Sequence, residues 1–596
     1  MPRPLIEYPG RSPRARVIDV LAIVVSFGVL AGAVHGLELL VSRWVLNELV
    51  WVSRDFVWMA PTAYMALLLP VALAAGVVSL ITPASWVPRA TVFLCSSFAI
   101  FGVLLPYSQI ARIASLLLAG GAAYQIARTY TLRAASRYRL IAACGAVLVG
   151  VLALLLPRLR ESAARQALAS ATSAATSPTN VLFIILDTVR AASMSLYAPT
   201  DSTTPHLEQW SKDGIVFDAA YSVAPWTLPS HASLFTGRYA GETPADWKTP
   251  LDRADSTLAE LFRTRGYATG AFMANMHYTA WDSGLERGFM TYDDYRRSWW
   301  QLLRSTAWTQ TVMFDELRSA RSASAVISSI IHPNLSIDPK HTFDRKIGSE
   351  VTSQFLHWQR GVGDRPFFAV LNYFDAHQPY YAPRPFLHFP KTGGTARYKG
   401  AIAYLDANID SILVSLQSQH VLDKTLVIVT ADHGELFNEH GLSGHAHDLY
   451  RNVLHVPLMM RLPTGVPAGA RITTPTSLRD LAATIVDLAG IKDARVPGQS
   501  LRTLWFDTLA HGSPALAEVS QAPNVDPTYP TAKGPMKSLM DDTTHYIRNG
   551  DGHEELFQFR TDTSESVNLS ADRSDVAAHW RQRVDSILAA RSPRRR

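Results

Sequence analysis

The chain has 596 residues, 48% of them hydrophobic, with 56 basic against 50 acidic side chains and a formal net charge of +6. That length exceeds one ordinary core, so at least two units are expected. The basic excess gathers at the N-terminus, at 128–139 and in the tail 591–596 (RSPRRR), a pattern of membrane flanks and solvated tails that implies no nucleic-acid partner. Both cysteines, Cys95 and Cys144, lie in apolar runs, so the polar remainder can hold no disulfide, thiolate metal site or cysteine nucleophile.

Five apolar segments come first, at about 20–34, 59–81, 91–107, 110–127 and 140–156. A bilayer core takes roughly 20 apolar residues in a helix. The second and fifth segments meet that best, and the fourth, with small residues at its centre, meets it least. Arg3, Arg11, Arg14 and Arg16 precede the first segment, and Arg128, Arg133, Arg137 and Arg139 separate the fourth from the fifth. Five spans place both clusters on the cytoplasmic side and the domain after Pro157 outside the cytoplasm. Arg158, Arg160 and Arg165 run against this orientation, and an even number of spans would reverse it. A cleaved signal peptide is not expected, because further apolar segments follow the first. Trp44, Trp51 and Trp58 recur every seven residues, which suits one face of an interfacial helix or an aromatic belt at segment ends. Residues 1–157 therefore read as a membrane domain of about five helices. The Ala/Ser/Thr-rich stretch that follows reads as a linker over 158–179.

Beyond it, 180–186 (NVLFIIL), 366–374 (PFFAVLNYF) and 426–430 (LVIVT) are apolar runs rich in strand formers. Helical stretches such as 256–265 and 401–417 lie between them. The alternation predicts an α/β domain with a parallel, doubly wound sheet. Ligands bind beyond the carboxyl ends of such strands, where Asp187, His377, Asp432 and His433 fall. Alone, each reads as a helix cap or a satisfied polar residue. Three strands releasing Asp or His at one end point to a metal or catalytic site.

Residues 224–237 read APWTLPSHASLFTG. Pro229 suits a first helical turn, so Thr227 stands at a helix N-terminus, where free N–H groups favour anions. A hydroxyl there serves as a nucleophile when a divalent cation also binds it, or simply as an N-cap.

These residues, with an ordered series of further motifs, resemble the sulfatase family of the alkaline-phosphatase-like superfamily. The series is LDTVR (186–190), TPHLEQWSKDGIVFDAAYS (204–222), WTLPSHASLFTG (226–237), FDAHQPY (374–380), TADHGELFNEHGLSGH (430–445), HVPLMM (455–460), PGQSL (497–501) and ELFQFRTDTSESVNL (555–569). The resemblance implies a catalytic domain over 180–489 and a smaller C-terminal α+β subdomain with a basic tail over 490–596. It makes Asp187, Asp432 and His433 metal ligands together with Thr227, the nucleophile. It makes His377 an anion-binding residue and His445 an anion-binding or leaving-group residue, and it turns Asn275 toward the pocket. One divalent ion is implied, and the ligand set suits zinc, manganese or calcium.

Two departures matter. The usual pattern is C-x-P-S-R, with Cys or Ser converted to formylglycine; here the first position is Thr227 and the last His231. The usual paired aspartates are replaced by Asp187-Thr188. A threonine β-carbon carries a methyl and cannot become an aldehyde. Thr227 instead resembles the nucleophile of lipoteichoic acid synthases and phosphoethanolamine transferases, which are also similar in carrying five spans before an exported domain. The two-metal branches add Asp-x-x-x-His; Asp375 and His377 are too close in sequence for that. The expected activity is a membrane-anchored ester hydrolase or phosphotransferase acting on a phosphate ester, with an envelope lipid or glycan as partner. The alternatives are a sulfuric ester hydrolase and an inactive ligand-binding membrane protein. His440 and His447 read as loop supports, His206 and His455 as structural, and His231 as either a support for the nucleophile turn or a solvated residue.

Overall fold

Uncharged runs of Leu, Val and Ala satisfy their backbone groups internally as helices, and they fill the first of two compact units, 1–165 with 295–338; the second holds 166–294 and 339–596. The structure, a computed structural model, describes residues 12–591 apart from 83–85, 108, 171–178, 199–201, 314–344, 388, 390–394 and 508–509. Arg3, Arg11 and the end of the basic tail lie outside the described residues.

The first unit contains α1 (Pro13–Trp44), α2 (Phe56–Leu67), α3 (Leu69–Ile81), α4 (Trp86–Leu104), α5 (Arg112–Arg128) and α6 (Leu132–Ser170). Among the described residues, three of these are long and apolar enough to cross a membrane: α1, α4 and the 134–168 stretch of α6. The α2–α3 pair, bent by 44°, makes a fourth if it is one span. Pro70, in the first turn of α3, lacks the N–H that would continue the ladder there. The fourth apolar segment forms α5, whose 17 residues reach about 26 Å, short of a hydrocarbon core of roughly 30 Å. Small residues seat α1 on α2: a Cβ at Gly32 would stand 2.3 Å from Pro61 Cα, so only glycine permits this approach. Asp19, buried on α1, is paired with Arg139 at 2.7 Å.

Two expectations for this unit change. Residues 45–55 are not a helix, because Asn47 (φ 54°) and Trp51 (φ 52°) are left-handed and break the ladder. Trp44 ends α1 and Trp58 lies inside α2, so the three do not share one helical face. The expected linker begins as helix, since α6 runs on to Ser170 through an alanine-rich stretch of high helix propensity. Arg160 is paired with the buried carboxylate of Asp55 and donates to the Arg54 carbonyl at 2.9 Å. Residues 295–313, with no apolar run to mark them, also belong here. Leu302 packs with Met59 and Ala63, and Trp308 lies flat on Phe98, centroids 4.4 Å apart.

In the second unit, eight strands form one sheet: β1 (Asn180–Leu186), β2 (Ile215–Phe217), β3 (Ala268–Met273), β4 (Thr291–Asp293), β5 (Phe367–Tyr373), β6 (Thr425–Ala431), β7 (Leu458–Arg461) and β8 (Ala470–Ile472). Their order is β8-β2-β7-β6-β1-β5-β3-β4. The sheet is mixed, not wholly parallel: β7 runs antiparallel to both its neighbours, β2 and β6. Every residue of β1, β5 and β6 is buried, which explains why these central strands read as continuous apolar runs without alternation. Their carboxyl ends share one rim because β1 is parallel to β5 and β6.

Towards the C-terminus, β9 (Ala515–Val519), β10 (Met536–Met540), β11 (Thr544–Arg548) and β12 (Glu554–Gln558) form an antiparallel meander. The helix Ser574–Ala589 covers it with Trp580 and Val584, packed among Leu516, Leu539, Tyr546 and Leu556.

Candidate active site

The nucleophile segment forms the helix α7 (Thr227–Thr236), which starts at Thr227 itself, and all ten residues are buried. Its far end is set by Gly237 (φ 72°), where a Cβ would stand 2.1 Å from the Pro497 carbonyl; that left-handed, crowded position requires glycine. The near end points Thr227 at the rim where β1 and β6 end. There Thr227 Oγ1 lies 3.4 Å from His433 Nε2 and 3.4 Å from Asn275 Nδ2.

Asp187, Asp432 and His433 offer ligand atoms that all lie within 4.8 Å of one another, and all three are buried. His433 Nδ1 is held by the Gly434 carbonyl at 3.0 Å, which leaves Nε2 to face the carboxylates, 3.4 Å from Asp432 Oδ2 and 3.9 Å from Asp187 Oδ1. Those two carboxylate oxygens are buried and accept no hydrogen bond. Orphaned acceptors in a dry site are costly, and a divalent cation between them would satisfy both, so the residues fit the implied metal. Burial pushes the Asp187 carboxyl up to about 6. Burial, then repulsion from Asp187, holds Asp432 well above the usual range. Burial, then neighbouring His445, keeps the His433 imidazole neutral, well below its ordinary value, as a metal ligand must be.

Thr188, where paired aspartates would place a second carboxylate, has φ 63°, a strained conformation for a β-branched residue. It is clamped by its N–H on Asp432 Oδ1 at 3.2 Å and by the Tyr398 hydroxyl on its carbonyl at 2.7 Å. Thr188 thus orients a carboxylate instead of supplying one.

His445 and His377 complete a row of imidazoles. The His445 ring is 4.5 Å from His433 and 5.0 Å from His377, centroid to centroid. Burial alone would lower the His445 pKa, but the charge and hydrogen bond of Glu435, 3.1 Å from Nδ1, and the charges of Asp187 and Asp448 together raise it. His377 stacks on Phe374 at 4.2 Å. Arg345 clamps its loop by donating to the His377 carbonyl at 3.0 Å and the Gln378 carbonyl at 2.7 Å. All six residues expected at the site are therefore joined by contacts, and Asn275 adjoins them through Thr227 Oγ1. Asp375 is taken up in capping the helix Gly348–Val362 through the Gly348 N–H at 3.0 Å.

His231 is fully buried, not solvated, and burial pushes its pKa down to about 4. His206 and His455 are bonded to Asp406 and to the Asp218 carbonyl. His440 stacks on Tyr450, and His447 meets Thr531. Three residues were missed. Asn372, a polar residue inside the apolar β5, and Glu435, just after His433, carried faint signals; Arg345 carried none.

A family model described as Sulfatase matches residues 179–491, more than half of the chain. The uncharacterized sulfatase YidJ of Escherichia coli (strain K12) is 23% identical over 364 residues, covering 54% of this chain and 70% of that protein. The choline-sulfatase of Rhizobium meliloti (strain 1021) is 23% identical over 495 residues, covering 70% and 90%. The N-acetylgalactosamine-6-sulfatase of Canis lupus familiaris, 22% identical, is spanned over 63% of its length. The phosphonate monoester hydrolase structure of Agrobacterium radiobacter superposes with a TM-score of 0.54 at 19% identity, over 69% of this chain and 95% of that one, which establishes a common fold.

Proposed function

This chain belongs to the sulfatase family, and from that premise we propose that it is a membrane-anchored metalloenzyme that cleaves or transfers a phosphate ester through a covalent intermediate on Thr227. The observation that carries the reading is the Thr227 hydroxyl, 3.4 Å from His433 Nε2, beside two buried carboxylate oxygens that lack partners. Asp187, Asp432, His433 and Thr227 would hold one divalent ion, zinc, manganese or calcium; when bound it lowers the hydroxyl pKa and screens developing charge.

The remaining work falls to the chain's own groups. Thr227 Oγ1 releases its proton to solvent and attacks phosphorus; the Oγ1–P bond forms as the P–O bond to the leaving group breaks. The N–H groups of the first turn of α7 orient the ester oxygens. His377 binds an oxygen of the transferred group, and His445 gives its proton to the departing oxygen. Water or a second alcohol then takes the group from Thr227. Five crossings, with α5 as one, would put the second unit outside the cytoplasm, where an envelope lipid or glycan can serve as donor or acceptor.

The related sulfatases support a second reading, hydrolysis of a sulfuric ester by Thr227 directly, without formylglycine. The test is intact mass with peptide mapping after brief incubation with bis(4-nitrophenyl) phosphate or 4-nitrophenyl sulfate. The proposed function expects a phosphoryl adduct on Thr227; an adduct from the sulfate ester alone would replace it with the second reading.

A further inference from the structure

We propose that His231 is a positioning residue, a neutral brace that ties the backbone of the nucleophile to a metal-binding carboxylate. The proposal rests on the reading of Thr227 as nucleophile and extends it to a residue outside the reacting atoms. His231 Nδ1 lies 2.9 Å from the Thr227 carbonyl oxygen. A carbonyl only accepts, so Nδ1 carries the hydrogen. Nε2 lies 3.4 Å from Asn372 Nδ2. The Asn372 amide is oriented independently, because its Oδ1 accepts the Asn275 N–H at 3.0 Å. Its Nδ2 therefore donates, and Nε2 must accept.

The same Nδ2 reaches Asp187 Oδ2 at 3.3 Å. Asn275 Nδ2 donates to that oxygen at 3.0 Å and to Thr227 Oγ1 at 3.4 Å. A closed circuit results: Thr227 carbonyl, His231, Asn372, Asp187, Asn275, Thr227 hydroxyl. None of its members is more than 3% exposed, so no water replaces a lost partner. The circuit fixes the first turn of α7 against Asp187, and thereby the line along which Oγ1 approaches the ester. Arginine, the residue of the C-x-P-S-R pattern at this position, has donors only and could not accept from Asn372. A neutral histidine donates at one ring nitrogen and accepts at the other.

The full-length, metal-loaded protein in detergent tests this with His231→Leu and His231→Asn, the latter keeping a donor near the place of Nδ1. The readouts are single-turnover labelling of Thr227 by bis(4-nitrophenyl) phosphate, steady-state kcat and KM, and metal content. A brace predicts a labelling rate and kcat lower by roughly 30- to 100-fold in His231→Leu, at KM within about twofold and unchanged metal content. It predicts recovery of about fivefold or more in His231→Asn. Wild-type labelling by His231→Leu, a joint loss of KM and metal content, or no recovery in His231→Asn overturns it. Should His231→Leu not fold, His231→Asn decides: a loss of about three- to tenfold in kcat alone supports the brace, and any other pattern overturns it. Failure of the underlying reading looks different, since wild-type protein would then carry no label on Thr227.

Discussion

The Thr227 hydroxyl oxygen stands 3.4 Å from His433 Nε2, across 206 positions of sequence. The helix N-terminus and the strand end that carry them meet only because α7 is buried at the rim where β1 and β6 finish. Thr227→Ala is expected to abolish the covalent adduct and lower turnover by about 10³-fold or more, whereas Thr227→Ser retains activity within about tenfold. Intact mass and steady-state rates on an aryl phosphodiester check both.

Removal of the ion by chelation is expected to abolish activity and to make stability depend on pH. In the ion-free fold the Asp187 carboxyl is raised to about 6, with Asp432 also raised, above the unfolded value. The charged forms are then penalised, and the penalty grows as pH rises through the folded value. The melting temperature of the chelated protein should fall from about pH 4 to about pH 6 as Asp187 titrates, and further as Asp432 does, while that of the loaded protein holds. Parallel thermal scans with metal analysis decide this; equal slopes would separate these carboxylates from any ion.

Glu435→Gln is expected to move the alkaline limb of the pH–rate profile to lower pH. Burial lowers the His445 pKa, and Glu435, with smaller help from Asp187 and Asp448, reverses that. If His445 acts as the acid, activity is lost as pH rises through its pKa, so loss of the Glu435 charge brings that loss on earlier. A limb that stays in place would mean that another group donates the proton.

Trp308→Ala and Phe98→Ala should each destabilise the first unit, and the double variant by less than the sum. The rings are stacked with 7° between planes, and the Trp308 indole donates to the Phe98 carbonyl at 3.3 Å. A coupling of about 0.5–1.5 kcal/mol is expected from such a pair, measured by unfolding in detergent. Additive losses would mean that 295–313 is not seated on α4.

What the sequence determined by itself was the set of residues that must sit where buried strands stop. A strand covered on both faces is apolar throughout, so the first polar residue after it marks the rim, and Asp187 and Asp432-His433 were legible for that reason. The run of uncharged residues in α1 was legible on the same grounds. The resemblance then ordered those residues into a site. Only the tertiary structure decided the support around it. Asn372 serves Asp187 because β5 lies beside β1 with Ile185 opposite Asn372, a register that no local pattern encodes. His231 could have faced solvent until α7 was seen to be buried on every side. Arg345 and Trp308 act through partners tens to hundreds of positions away, and such contacts leave no periodic trace in the sequence, because they depend on which surfaces meet and not on how any one segment folds.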